Sequence, residues 1–141
     1  MDIKQKAAQL IKKYHTDNPF KLAALLNINI IYGNLGGKYG NYMKYRRSRY
    51  IFIDDCRTPE SMLPFICAHE LGHALCTPDA NTRWLNAYTI KMDDKVERKA
   101  NHFAVELLLN DAFLQNNADA SIYQLADARG IPEALIGLKN F

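Results

Sequence analysis

Three polar side chains interrupt a segment of the chain that is otherwise apolar. The segment, FICAHELGHALC at residues 65–76, contains His69, Glu70 and His73. Successive residues of a helix turn by about 100°, and the apolar residues of this segment then fall on every side. A helix of that kind is normally buried, and burying a polar side chain is costly unless it is paired or bound to a metal. The segment therefore predicts a buried helix whose polar residues share a partner.

The spacing of these residues matches a known metal-binding arrangement. His69 and His73 are four residues apart, so both imidazoles project from one face and can bind one ion. Glu70 lies about 100° around the helix, within reach of a metal-bound water without being a ligand. This is the H-E-x-x-H arrangement of zinc hydrolases, in which the glutamate accepts a proton. The alternative is two core histidines and a surface glutamate, which a helix without a polar face disfavours.

A catalytic zinc usually has three protein ligands, so a third must come from elsewhere in the chain. Glu97 is the favoured candidate. It lies on a helix predicted at 93–109, inside the apolar stripe of that helix, where an unpaired carboxylate would be costly and a metal would explain it. Asn101, one turn later, is expected to accept a hydrogen bond from a ligand histidine.

Other residues compete for the same role. Cys76 falls about 20° from His69 on the motif helix, and zinc accepts thiolate readily. However, Cys76 is near the predicted helix end, and small buried cysteines are common. His102 points about 140° from Glu97 and is predicted to be exposed to solvent, on a polar side shared with Glu106. Glu97 itself could instead lie at the edge of the apolar face of its helix and pair with a basic side chain.

Two segments of the chain resemble the ImmA/IrrE family of metallopeptidases. They are AHELGH at 68–73 and ERKANHFAVELLLN at 97–110. The second is similar to the family pattern E-x-x-A-[ND]-x-F-A-x-x-L-L, which begins with the third zinc ligand. The separation of 24 residues between His73 and Glu97 is also of the family's kind. Asn110 stands where the family usually has a proline, and the resemblance covers roughly residues 15–110.

The resemblance implies both a site and a fold. It implies one Zn²⁺ per chain bound by His69, His73 and Glu97, with Glu70 as the catalytic general base. It implies an α+β fold similar to a minimal zincin, with a small sheet of about three strands packed against the active-site helix, and helices at both ends of the chain. Family members often act on helix-turn-helix repressors of phages and mobile elements. Such a transcriptional repressor is therefore the expected protein substrate.

Two other functions are compatible with the same motifs. One is a binding module that keeps the metal but works by sequestering a DNA-binding partner. The other is a non-peptidase zinc hydrolase, which would need an upstream cysteine ligand. Cys56 lies in no recognisable motif of that kind.

Hydrophobic periodicity and turn signals predict the elements that must position the site. In chain order they are a helix at 3–14, a short helix from Asn18-Pro19 to about Leu26, a strand at 28–32, strands at 41–47 and 49–54 joined near Arg47-Ser48, a helix from Thr58-Pro59 to about Cys76, a helix capped by Asp93 or Asp94 and ending near Leu109, and helical patterns at 119–129 and 132–140. The strand at 49–54 could pair with an extended substrate along its edge.

The chain as a whole limits the classes of function. With 141 residues, of which 48% are hydrophobic, it is expected to form a single domain with a core at about 15–110 and a C-terminal helical pair at about 119–140. The formal charge of +3 is too mild to indicate a nucleic-acid partner. The run KYRRSRY at 44–50 is therefore interpreted as a solvated hairpin tip, in preference to a surface for nucleic acid or for an acidic substrate loop.

Export and membrane insertion are not indicated. The N-terminus has charges among its apolar positions, unlike a secretory signal, and no run approaches the roughly 18 to 20 apolar residues that span a bilayer. The three cysteines, Cys56, Cys67 and Cys76, are an odd number. They are expected to be free thiols in a reducing cytoplasm.

Overall fold

A computed structural model of the protein describes residues 1–80, 84–90 and 94–141. The helices of this part are α1 (Ile3–Tyr14), α2 (Pro19–Leu25), α3 (Leu63–Cys76), α4 (Ala87–Ile90), α5 (Lys95–Leu108), α6 (Asp111–Asn116) and α7 (Ile122–Ala128), and the strands are β1 (Ile28–Gly33), β2 (Gly40–Tyr45) and β3 (Ser48–Asp54). Short 3-10 helices cover Glu60–Met62 and Glu133–Leu138. The expected α+β fold with a small three-stranded sheet is confirmed.

The sheet has the order β1-β3-β2, so β3 is its central strand. β3 pairs in parallel with β1 and antiparallel with β2. The prediction that the strand at 49–54 offers a free edge to a substrate is therefore wrong, because both of its edges already pair. Ile51 and Ile53 on β3 are fully buried, and the sheet packs against α3.

The β2–β3 hairpin turns one residue earlier than predicted. Tyr45 pairs with Ser48, which leaves Arg46 and Arg47 in the turn rather than Arg47 and Ser48. Arg46 has a positive φ of 57°. This left-handed conformation occurs in tight turns and not in extended strands. Periodicity did not locate this turn because the sequence around it contains no glycine, asparagine or proline.

A side-chain cap and a proline mark where the two site helices begin. Asp94 caps α5, and its Oδ1 accepts hydrogen bonds from the backbone N–H groups of Val96 at 2.9 Å and Glu97 at 3.4 Å. Of the two predicted caps, Asp94 is thus confirmed, and Asp93 lies outside the described residues. At α3 a proline, Pro64, occupies the first turn, where its missing N–H costs nothing. The start of α5 therefore holds Glu97 in a defined first-turn position.

α3 and α5 cross in close contact, and a glycine permits it. A Cβ atom at Gly72 would lie 3.0 Å from the Cα and the carbonyl oxygen of Ala100 and 3.1 Å from the Cβ of Phe103. Any larger residue at Gly72 would push the two backbones apart. The glycine inside the H-E-x-x-H motif thus brings the helix that carries Glu97 against the helix that carries the two histidines.

The face of α5 opposite Glu97 is more buried than predicted. Glu106, expected on the polar side, is only 2% exposed. Its carboxylate accepts hydrogen bonds from Lys139 Nζ at 2.8 Å and from the backbone N–H of Asn140 at 2.8 Å, and His102 Nε2 lies 3.0 Å away. Burial raises the pKa of Glu106, but the hydrogen bonds of His102 and Lys139 outweigh it, so the net shift is downward. The C-terminal residues cover this face, which a single-helix projection cannot show.

The C-terminal region is more segmented than predicted. α6 was not predicted, and the second of the two tail patterns forms a 3-10 helix rather than an α-helix. All three cysteines, each within the described part of the chain, are free thiols as expected. Among the described residues, no helix has the length and apolar character needed to cross a bilayer.

Candidate metal centre

The four residues singled out from the sequence meet at the contact between α3 and α5. His69, Glu70 and His73 have no exposed surface, and Glu97 is 1% exposed. Glu97 Oε1 lies 3.4 Å from His69 Nε2, and Glu97 Oε2 lies 2.9 Å from His73 Nε2. Ligand-type atoms of His69, Glu70 and His73 all lie within 4.8 Å of one another. The structure thus brings together all four predicted residues.

The donor set fits a zinc ion. Two ligand atoms that are each about 2.0–2.1 Å from a tetrahedral ion lie about 3.3 Å from each other, close to the two separations between the Glu97 carboxylate and the imidazoles. In the part of the chain that the structure describes, His69 Nε2 and both carboxylate oxygens of Glu70 are buried without a hydrogen-bond partner. Buried polar atoms are rarely left unsatisfied. Their common position beside Glu97 indicates a site for a cation and a water.

A hydrogen bond to Asn101 orients His69 towards the site. His69 Nδ1 lies 2.8 Å from Asn101 Oδ1. The Asn101 amide is oriented by its own Nδ2, which donates to the carbonyl of Ile90 at 3.3 Å. Oδ1 can only accept, so His69 must carry its proton on Nδ1 and present the lone pair of Nε2 to the site. The predicted role of Asn101 as acceptor is confirmed.

His73 has an equivalent partner that sequence reasoning missed. His73 Nδ1 lies 3.2 Å from Thr77 Oγ1, whose hydroxyl points to the carbonyl of His73 at 3.4 Å. The hydroxyl therefore accepts from Nδ1–H, and Nε2 of His73 is again the free ligand atom. Thr77 follows His73 by four residues, and that spacing was the available signal.

The environment shifts the pKa values of the site groups in different directions. Burial raises the pKa of Glu70 well above its usual value, and the nearby charge of Glu97 raises it further. Burial also lowers the pKa of His69, which favours the neutral imidazole that a metal requires. For Glu97, burial alone would raise the pKa, but the adjacent imidazoles of His69 and His73 outweigh it and hold the pKa at about 2. The site therefore contains one ionised carboxylate held between two imidazoles.

The competing residues lie elsewhere. Cys76 is buried, and no hydrogen bond joins its thiol to either histidine among the described residues, whereas Glu97 contacts both. Burial raises the pKa of the Cys76 thiol, against the opposing effect of the Lys6 and Lys99 cations. His102 is partly buried rather than exposed as predicted, and it contacts Glu106 on the far side of α5. Cys56 is exposed, whereas the site residues are buried.

Comparison with known proteins identifies relatives over most of the chain. Residues 23–136 match the model of the IrrE N-terminal-like domain, a peptidase family. The chain is 40% identical over 141 residues to "Uncharacterized immunity region protein 2" of Bacillus phage phi105, covering 98% of this chain and 89% of the relative. It is 29% identical over 112 residues to "Metallopeptidase ImmA" of Bacillus subtilis (strain 168), covering 79% of this chain and 66% of that relative.

Proposed function

Because this chain belongs to the peptidase family of the IrrE N-terminal-like domain, we propose that it is a zinc-dependent metallopeptidase that cleaves a regulatory protein at a specific site. His69, His73 and Glu97 are the proposed ligands of one Zn²⁺, and Glu70 is the proposed catalytic residue. The proposed substrate is a helix-turn-helix transcriptional repressor of a phage or mobile element. One relative named as an immunity region protein and another named as a metallopeptidase support this combination.

The observation that carries the proposal is the buried, unsatisfied carboxylate of Glu70. It lies beside two imidazoles and a second carboxylate, and all four groups are closed off from bulk solvent. Without a function, such a carboxylate would only destabilise the fold. Strongly perturbed ionisable groups cluster at catalytic sites, which supports the assignment of Glu70 to proton transfer.

The residues divide the proposed chemistry between them. A zinc ion, when bound, supplies an acidified water and polarises the scissile carbonyl. Glu70 takes the proton of the attacking water on a carboxylate oxygen and passes it to the leaving amide nitrogen. Glu97 supplies the negative charge that two neutral histidines lack. Asn101 and Thr77 contact the Nδ1 atoms of the two imidazoles, which would leave both Nε2 atoms to hold the ion.

The first expected result concerns metal content. Protein purified without chelator should contain about one zinc per chain, because two imidazoles and one carboxylate form a three-ligand set with one open position. The measurement is elemental analysis of the purified protein, before and after dialysis against zinc. A protein that holds no zinc even after the metal is added back would remove the basis of the peptidase proposal.

The second expected result concerns the substrate. Where the neighbouring gene encodes a helix-turn-helix repressor, that repressor should be cut at one site by the zinc-loaded protein and left intact after the zinc is stripped. Casein, a generic unfolded substrate that contains many different peptide sequences, should be cut only weakly. Mass spectrometry of the products gives the cleavage site. Rapid digestion of casein would contradict the regulatory role, and tight binding of the repressor without cleavage would favour sequestration.

A further inference from the structure

The basic run that the sequence places at the β2–β3 hairpin lines a groove next to the metal centre. This basic groove has a volume of about 420 Å³. Its cations are Lys44, Arg46, Arg47 and Arg49, and its remaining lining residues are Tyr42, Ala74 and Pro78. A hairpin tip that is merely solvated would present these charges to open water. Here the same cations, though exposed, share one groove with Ala74 of α3 and with Pro78 in the segment that follows it.

Three of the four cations have no anionic partner in the described part of the chain. Lys44, Arg46 and Arg47 are exposed, and no ion pair of theirs occurs among the described residues. The guanidinium of Arg46 lies over the ring of Tyr45 at 5.3 Å. Arg49 is instead anchored, since it donates to the carbonyl of Leu26. In the part of the chain that the structure describes, the basic groove therefore carries three cations without an ion-pair partner.

Two elements that line the basic groove, α3 and β2, also carry or contact the proposed site residues. Ala74 follows His73 directly on α3. On the other wall, β2 begins at Gly40, where a Cβ atom would lie 3.6 Å from Glu70 Oε2. From there β2 runs to Lys44, four residues later, which is about 14 Å along an extended strand. The basic groove and the proposed site thus share α3 and β2 as neighbouring elements, with the cations at the far end of β2 from Glu70.

We propose that the basic groove binds an acidic, extended segment of the protein substrate, with Lys44, Arg46 and Arg47 as specificity-determining residues. The inference rests on the proposed peptidase function, because it names the class of sequence that the peptidase selects. An extended chain rises about 3.3 Å per residue. The acidic residues of the substrate are therefore placed about four positions from the scissile bond.

The surroundings of the cations fit a peptide better than a nucleic acid. The floor of the basic groove is formed by an aromatic ring, a methyl group and a proline, at Tyr42, Ala74 and Pro78. An adjoining groove of about 380 Å³ shares Tyr42, Lys44 and Pro78 and adds the exposed carboxylate of Asp79. A carboxylate repels a phosphate backbone, whereas a peptide can place a polar or basic residue beside it. The net charge of +3 is also small for a surface that must neutralise many phosphates.

The test is a binding measurement on the zinc-loaded wild-type protein. The probes are two fluorescein-labelled ten-residue peptides, one of alternating Glu and Ala and one of alternating Gln and Ala, and a single-stranded DNA oligonucleotide of twelve nucleotides. Fluorescence anisotropy at low ionic strength should show tighter binding of the glutamate peptide than of the other two probes. The double variant Arg46→Ala/Arg47→Ala should weaken that binding about fivefold to tenfold, and about 0.5 M salt should weaken it in the wild type.

A matched variant separates this groove from general electrostatics. Lys12→Ala/Lys13→Ala removes the same charge from the exposed end of α1 and should leave the affinity unchanged. Equal binding of the two peptides, no binding of either, or equal losses in both double variants would overturn the proposal. Tighter binding of the oligonucleotide would overturn it in favour of a nucleic-acid surface. The anisotropy measurement does not require the protein to cleave the peptide. A preparation that binds no zinc or cuts no substrate would therefore count against the peptidase function, and not against the basic groove.

Discussion

Glu70→Gln is expected to abolish peptide hydrolysis while the protein keeps its fold and its zinc. The amide has nearly the same shape as the carboxylate but cannot accept a proton from water. Loss of a general base reduces rates by about 10²- to 10⁴-fold. The zinc content should not fall, because Glu70 is assigned to proton transfer and the three metal ligands are untouched. The measurements are cleavage of the repressor, elemental analysis and circular dichroism of the same preparation.

The combination of results is what tests the role of Glu70. Loss of activity together with loss of zinc would mean that Glu70 is a metal ligand. Retained activity would mean that another group moves the proton. A neutral amide at this buried position is not expected to unfold the protein, because burial already raises the pKa of Glu70 towards the neutral acid. An inactive, folded, zinc-loaded variant is therefore a clear outcome.

Glu97→Ala is expected to weaken zinc binding strongly, together with activity. Removal of residues that only orient metal ligands costs about 10- to 100-fold in affinity, so loss of a ligand should cost more than about 100-fold. Glu97 contributes an ionised carboxylate, with a pKa held at about 2 by the two imidazoles, and no other described carboxylate contacts both. Competition with a fluorescent zinc chelator gives the affinity, and circular dichroism confirms that the variant is folded.

Cys76→Ala is the matched control for this assignment. Cys76 is buried near the end of the same helix as the histidines, and its replacement removes the competing thiolate ligand without touching the Glu97 carboxylate. Its zinc affinity should remain close to that of the wild type. If Cys76→Ala loses the metal and Glu97→Ala keeps it, the third ligand is wrongly assigned. If Glu97→Ala instead keeps its metal and gains stability, Glu97 is an unpaired buried charge, whose removal is neutral or favourable.

The sequence located the residues of the site because their chemistry conflicts with their local surroundings. His69, Glu70 and His73 interrupt an apolar helix, and Glu97 interrupts an apolar stripe. In each case the cost of burying a polar group predicts a partner. Asn101 could be assigned from its position one turn after Glu97, and the cap of α5 could be narrowed to Asp93 or Asp94. These inferences depend on geometry within a single helix, which the sequence specifies.

Other features depended on contacts between distant segments. Glu106 was placed on a solvent-facing side of α5 because a helical projection contains no neighbours, and the C-terminal residues Lys139 and Asn140 bury it. The strand at 49–54 was given a free edge because periodicity does not specify strand order, and β3 pairs on both sides. The basic run at 44–50 was interpreted as a solvated tip, and its Lys44, Arg46 and Arg47 are exposed; the groove that they line with Ala74 and Pro78 depends on the packing of the hairpin beside α3.

The sequence by itself determined which side chains could form the candidate metal site and on which face of each helix they lie. That information is local, since helical geometry fixes the relative directions of residues three or four apart. Only the tertiary structure decided that Glu97 meets both histidines, through the close crossing that Gly72 allows at Ala100. It also decided that Thr77 orients His73 and that four cations line a groove next to the site. Those outcomes depend on how helices and strands pack, a property of the whole chain that no single segment encodes.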